Sequence, residues 1–273
     1  MYRMGEGVTK DRDEALRWYH KAAKDGSAAA MFSLGAAYYN GDGVNSDDVT
    51  SCAWFLLAQE AGYPQADDAV SRATSENAAR PIQAAEKIGE MYLNGGELPK
   101  TPDKALKWYR KAADGGVQEA AVNAAALLIG VDPTADEYAE ARKRCESAAK
   151  RDYGPAAFCM AVIYRRGLGV TQDATESAKW LIRAANLGHP KAMLQLGEAY
   201  WKGDGVKPNL ISAYTWIWMA YKLQATGAQQ DEEALRKQMD ARDIEEAKKN
   251  AETSPVRHPL LVPPKTRNDD STQ

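Results

Sequence analysis

The sequence predicts an all-α fold, a solenoid of about five full helix-turn-helix repeats plus an N-terminal half repeat. Three observations carry this. Trp18, Trp54, Trp108, Trp180 and Trp216 stand 36, 54, 72 and 36 residues apart. The gap of 54 reads as one period plus an insert of 18, and that of 72 as two periods with one tryptophan lost. A pattern of leucine or isoleucine, glycine, two variable residues and tyrosine recurs at Leu34-Gly35-x-x-Tyr38, Ile88-Gly89-x-x-Tyr92 and Leu196-Gly197-x-x-Tyr200. Paired glycines recur at Gly5/Gly7, Gly41/Gly43, Gly167/Gly169 and Gly203/Gly205. Self-similarity at a fixed period of this size is the mark of a stacked helical array.

Each unit reads as helix A, a glycine loop, helix B and a short return. Helix B follows Asp11, Asp47, Thr101, Asp173 or Asn209, side chains that accept an otherwise unpaired backbone N–H. Glu14 and Glu176 stand three residues further on, where a reciprocal capping box is expected. Pro102 takes the first helical position after Thr101. The tryptophan then precedes Ala22-Ala23, Ala112-Ala113 or Ala184-Ala185 by four and five residues, so ring and alanine share a face. Gly26, Gly62, Gly116 and Gly188 end the helix, and Pro64 and Pro190 soon follow.

In helix A the mid-helix glycine costs about 1 kcal/mol relative to alanine. Its recurrence, with only Ala125 and Ala161 as substitutes, predicts a close approach of helix A to its neighbour. The paired glycines are read as left-handed turn positions, with Val8, Val44, Val170 and Val206 tucking back onto the core. A phosphate-cradling reading of Gly41-x-Gly43 lacks the preceding strand it needs.

The pattern A-x-x-x-L-G-x-x-Y-x-x-G-x-G-V-x-x-D followed by A-x-x-W-Y-x-x-A-A-x-x-G resembles the Sel-1-like repeat family, relatives of tetratricopeptide repeats with longer units. The resemblance covers roughly residues 2–227. It implies a right-handed α/α superhelix whose helix A lines the inner curve. It also implies a role as a protein–protein interaction scaffold or adaptor, in a family with many bacterial members. Members with regularly paired cysteines are associated with β-lactam binding or hydrolysis; this chain lacks such a regular series, so that activity is not carried over.

The expected array spans residues 1–250, with repeats near 1–26, 27–66, 85–120, 121–156, 157–192 and 193–227. The first lacks nearly all of helix A, which points to a chain that extends upstream. The fourth is degenerate: Arg144 stands at the tryptophan place and Asp132-Pro133-Thr134 replaces the glycine loop. Residues 67–84 and 228–250 read as extra helices. Residues 251–273, with Pro255, Pro259, Pro263 and Pro264, read as a disordered tail.

Net charge is −3, without a basic patch for nucleic acid. The longest apolar run, near residues 120–131, falls short of the roughly 20 residues of a membrane span. Cys52, Cys145 and Cys159, odd in number and irregular in spacing, are expected as three buried thiols. A reducing, cytoplasmic setting follows from the chain as it stands. A periplasmic or secreted setting follows if a signal lies upstream. His20, His189 and His258 form no metal-ligand spacing, and no nucleophile motif appears. His20, after Tyr19 on helix B, is expected as a partly exposed surface residue.

No catalytic, metal or cofactor residue is therefore assigned. Candidate contacts for a protein or peptide partner are Tyr39, Arg165 and Trp201, at the outward position after the repeat tyrosine. Aromatic and arginine side chains there are the usual interface anchors. The competing readings are a hydrolase, or an envelope ligand-binding protein, using the same concave cleft.

Overall fold

The computed structural model describes residues 11–130 and 133–256. All regular structure among them is helical, fourteen helices in number. They fall into two compact units, one ending at Gly130 and one following it, with the division inside the degenerate repeat. The half-repeat glycine loop at Gly5 and Gly7, and most of the tail expected over 251–273, lie outside the described residues.

The first unit holds α1 (Arg12–Lys24), α2 (Ala28–Asn40), α3 (Asp48–Glu60), α4 (Ala66–Glu76), α5 (Arg80–Asn94), α6 (Pro102–Asp114) and α7 (Gln118–Leu128). Here α2 and α3 form one A–B pair and α5 and α6 another; α3 packs directly on α5, with the inserted α4 beside it. The second unit holds α8 (Ala135–Lys150), α9 (Gly154–Arg166), α10 (Ala174–Asn186), α11 (Pro190–Lys202), α12 (Leu210–Lys222), α13 (Ala228–Arg236) and α14 (Ala241–Thr253). In it α9–α10 and α11–α12 are the A–B pairs, and α13 and α14 both pack on α12. Glu232 on α13 is almost fully buried; Tyr214 on α12 donates its hydroxyl to it, and Arg236 donates from the next turn.

The repeat glycines sit where helix A touches helix B. A Cβ on Gly35 would lie 2.5 Å from the Phe55 ring, and one on Gly89 would lie 2.7 Å from Tyr109. On Gly197 it would meet Ile217 at 2.5 Å and the Ala213 carbonyl oxygen at 2.9 Å. Ser51 and Ser177 add a buried bond across the same contact, donating to the carbonyls of Gly35 and Ala161 at 2.8 and 2.9 Å. Gly41, Gly167 and Gly203 close helix A in the left-handed region, at φ 71°, 67° and 77°.

Helix B starts largely as expected. Asp11, Asp47, Asp173 and Asn209 accept N–H bonds within the first turn. Thr101 does not; its hydroxyl donates to the Pro99 carbonyl instead. The capping boxes expected at Glu14 and Glu176 do not form: Glu14 pairs with Arg17 and Glu176 with Lys179. For the later copies the reason is visible. The N–H that the glutamate would cap is already taken, since Asp47, Thr101, Asp173 and Asn209 donate to the carbonyls of Tyr38, Tyr92, Tyr164 and Tyr200. A complete box does form at Thr134 and Glu137, in the repeat that has lost the glycine loop.

The expectation of three free thiols is overturned. Cys145 on α8 and Cys159 on α9 form a disulfide, with Cα atoms 6.1 Å apart; Cys52 alone is a free, buried thiol. A separation of 14 residues across a tight helix-to-helix turn brings the two to facing positions. Spacing along the sequence does not display that pairing, and the inference of a reducing compartment loses its basis.

His20 is partly exposed, as expected, but one side of its ring is covered. Its ring meets Trp54 edge-on at 5.6 Å, and its Nδ1 is inaccessible and has no protein partner. Burial lowers its pKa, only partly offset by the Glu97 carboxylate.

Three predictions follow from this packing. Gly197→Ala is expected to lower stability by about 1–3 kcal/mol in urea melts, the overpacking exceeding the helix-propensity gain; an unchanged midpoint would show that the A–B contact is loose. Reduction, or Cys145→Ser with Cys159→Ser, is expected to cost about 2–3 kcal/mol by closing entropy of a loop this short, read as a drop in melting temperature with reductant. His189 caps α11, its Nδ1 accepting from the Ala192 N–H at 3.1 Å, and it stacks on Phe158. Burial first, and then Lys191, push its pKa from 6.5 down to about 4. The unfolded chain therefore takes up a proton before the folded one as pH falls. Stability from this group is intact above about 6.5 and declines toward pH 4. His189→Asn keeps a cap without the titration. Its melting temperature is expected to fall less between pH 7 and 4.5 than that of the parent, and parallel profiles would refute the assignment.

Candidate protein-binding groove

In the first unit, the outward face of α2 presents Phe32, Ala36 and Tyr39, spaced three and four residues apart and so on one side of the helix. Phe55 of α3 continues this surface, its ring 5.2 Å from that of Phe32. The inserted α4 stands opposite and offers Ala69 and Ala73. Between them lies a groove of about 280 Å³.

Tyr39 forms one wall and is 53% exposed, among the most exposed large apolar side chains of the described residues. Its neighbour Tyr38 turns inward, so successive residues of one helix divide between core and groove. Arg80, at the start of α5, closes one end. Its guanidinium bonds Asp48 at 2.8 Å and Glu76 at 2.6 Å, and donates to the Ala73 carbonyl. That side chain is only 11% exposed, so these pairs tie α3, α4 and α5 together more firmly than an ordinary surface pair would. Arg72 of α4 lies on the rim. It makes one long bond to the Asp68 carbonyl of its own helix, at 3.4 Å, and no carboxylate of the described residues is within ion-pair distance.

The other two sequence candidates belong to the second unit. Arg165 lines a wider, open depression of about 470 Å³ with Val162, Arg166 and Glu198. It reaches Gln195 at 3.4 Å and Asp204 at 3.9 Å, both long. Trp201 lies outside that depression and is half-buried; its indole N–H donates to Gln238 at 3.2 Å, beyond the end of α13. Tyr39 and Arg165 thus face open space, whereas Trp201 is engaged by the C-terminal extension. Sequence reasoning missed Phe32, Phe55, Arg72 and Arg80. The available signal was the insert itself, which brings two arginines beside an aromatic-rich repeat.

The repeat tryptophans differ in depth: Trp18 is 50% exposed and Trp180 and Trp216 are partly buried. Trp54 and Trp108 are buried, and the indole N–H groups of Trp54, Trp108 and Trp180 are inaccessible and have no acceptor among the described residues. Among the described residues no three His, Cys, Asp or Glu side chains gather as a metal site. No helix among them is long and apolar enough to cross a membrane.

A family model described as the Sel1 repeat matches residues 1–27, 28–63, 82–117, 154–189 and 190–223. The unmatched stretches within that span are the insert and the degenerate repeat. The chitin synthase regulator SKT5 of Saccharomyces cerevisiae is 27% identical over 239 residues, covering 85% of this chain and 32% of that protein. Chitin synthase regulatory factor 3 of Schizosaccharomyces pombe is 28% identical over 224 residues, covering 71% of this chain and 24% of the relative. The chain thus spans a third or less of these curated relatives. Among solved structures, a protective antigen of uropathogenic Escherichia coli with an SLR fold superposes with a TM-score of 0.58 at 25% identity, over 92% of this chain and 58% of that one. A Sel1 repeat protein from Oxalobacter formigenes gives 0.52 at 26% identity, over 72% and 73%. With more than half of its length matched by the repeat model, the chain belongs to the Sel1 repeat family.

Proposed function

We propose that this protein is a non-catalytic adaptor that binds a segment of a partner protein on the outward faces of its helix A series. The observation that carries this is the Tyr39 groove, where a half-exposed aromatic stands over a floor of Phe32 and Phe55. Large aromatic side chains cost little conformational entropy to bury and anchor many protein interfaces. The open depression around Arg165 supplies a second, more polar contact surface in the other unit. Trp201 is the weakest of the three candidates, because its indole already has an internal acceptor.

The relatives support the same reading in kind. Two carry names that describe regulators of an enzyme, and the part they share with this chain is the repeat region. A regulator acts by contact, which is what an array with exposed helical faces supplies.

The test is affinity capture from a lysate of the source organism with the intact chain, beside Tyr39→Ala and Arg165→Ala. The expected result is a stoichiometric protein partner whose recovery falls several-fold with Tyr39→Ala while the melting temperature stays within about a degree, as for a surface change. Equal recovery by the parent and both variants would reject the assignment.

A further inference from the structure

We infer that the groove between α2 and α4 takes an extended peptide segment that carries one bulky apolar side chain with an acidic side chain close beside it, the acid pairing with Arg72. This rests on the adaptor reading above and specifies its ligand.

Size sets the first limit. At about 280 Å³ the groove stands at the lower end of small-molecule pockets, roughly 300–1,000 Å³, and holds one or two side chains. Phe32, Ala36, Phe55, Ala69 and Ala73 give it an apolar side, and most of the remaining lining is polar or charged. Against the apolar side the ligand must present an apolar group, since a polar one would lose its water without replacement.

The charges then select the neighbour. Asp48 and Glu76 are both spent on Arg80, whose guanidinium is held from two sides. Neither of the neutral donors Asn40 and Ser51 supplies a charge: Asn40 donates one amide N–H to the Ala36 carbonyl, and Ser51 gives its single hydroxyl hydrogen to the Gly35 carbonyl. Arg72 is the cation of the lining that faces no carboxylate. A ligand carboxylate beside it completes a charge-assisted pair that the protein leaves open.

That carboxylate belongs to a side chain rather than to a chain terminus. Terminal carboxylates are captured by converging backbone N–H groups. At the two helix starts near the groove these groups are committed. Val49 and Thr50 donate to Asp47, Ala79 to the Asn77 side chain and Arg80 to the Asn77 carbonyl, and residue 81 is a proline.

The wall that makes the groove is also particular to this repeat. It is α4, which follows the second repeat and falls in a stretch that the repeat model leaves unmatched. The insert thus converts a general helix A surface into a shaped site.

The experiment uses the full chain and fluorescein-labelled ten-residue peptides of Gly and Ser. Each carries one Phe or Leu and, one to three positions away, a Glu, a Gln or a Lys. Binding is read by fluorescence anisotropy. Glu peptides are expected to bind about fivefold tighter than Gln peptides, with the gap shrinking as salt rises. Arg72→Gln is expected to erase the gap, and Arg72→Glu to transfer the preference to Lys peptides. Tyr39→Ala is expected to weaken all of them. Peptides that bind without regard to charge, or a preference that survives Arg72→Gln, would overturn the inference. So would no binding by any peptide, or acid-dependent binding unaffected by Tyr39→Ala. The adaptor reading is judged separately, by whether the captured protein partner is lost with Tyr39→Ala.

Discussion

The contact on which the regular repeats depend is the one between helix A and helix B, at a mid-helix glycine in three copies and at Ala161 in another. With hydrogen in place of Cβ, the backbone of helix A comes against the ring of Phe55 or Tyr109, or against Ile217 and the Ala213 carbonyl. At these three glycines a Cβ would lie within 3 Å of those atoms, and the local cost of glycine in a helix, about 1 kcal/mol, is offset by that packing. The spacing of the two helices then fixes the rest. The loop between them is short enough for the repeat tyrosine carbonyl to receive the N–H of the next N-cap, in the four regular copies at Tyr38, Tyr92, Tyr164 and Tyr200. The tryptophan of helix B is carried inward, where Trp54 and Trp108 are almost wholly removed from water.

Because these contacts are between neighbours in the chain, departures from the repeat remain local, as expected for a quasi-one-dimensional stack. In the degenerate repeat the glycine loop is gone, and a capping box at Thr134 and Glu137 starts α8 instead. The disulfide from α8 to α9 adds a covalent link just after it. At the other end of the second unit, α13 and α14 cover α12, and the buried Glu232 is satisfied by Tyr214 and Arg236. A buried carboxylate without those partners would be strongly destabilising, so the extension is specified by chemistry as well as by shape.

The same locality explains how the groove arises. Insertion of α4 leaves α3 packed on α5 and so does not interrupt the stack. It adds a wall across the outward face of α2, and Arg80 fastens that wall through Asp48 and Glu76. A surface that elsewhere is one side of a helix becomes enclosed on two sides. The second unit shows the contrast: no inserted helix lines the depression at Arg165, which is wider and more open.

The sequence by itself determined the all-helical repeat, the glycine positions, most of the N-caps and the outward placement of Tyr39 and Arg165. These are set by residues close in the chain, with periods of 3.6 and about 36 that a linear reading displays. It did not show that Cys145 meets Cys159, that His20 turns inward to Trp54, or that Gln238 engages Trp201. Nor did it show that Arg80 closes a groove while Arg72 stays unpaired. Each of these depends on which side chains different helices bring together, and that is settled by the angle and spacing of packed helices. Only the tertiary structure decides those, because side chains from separate helices meet by position in space rather than by position in the chain.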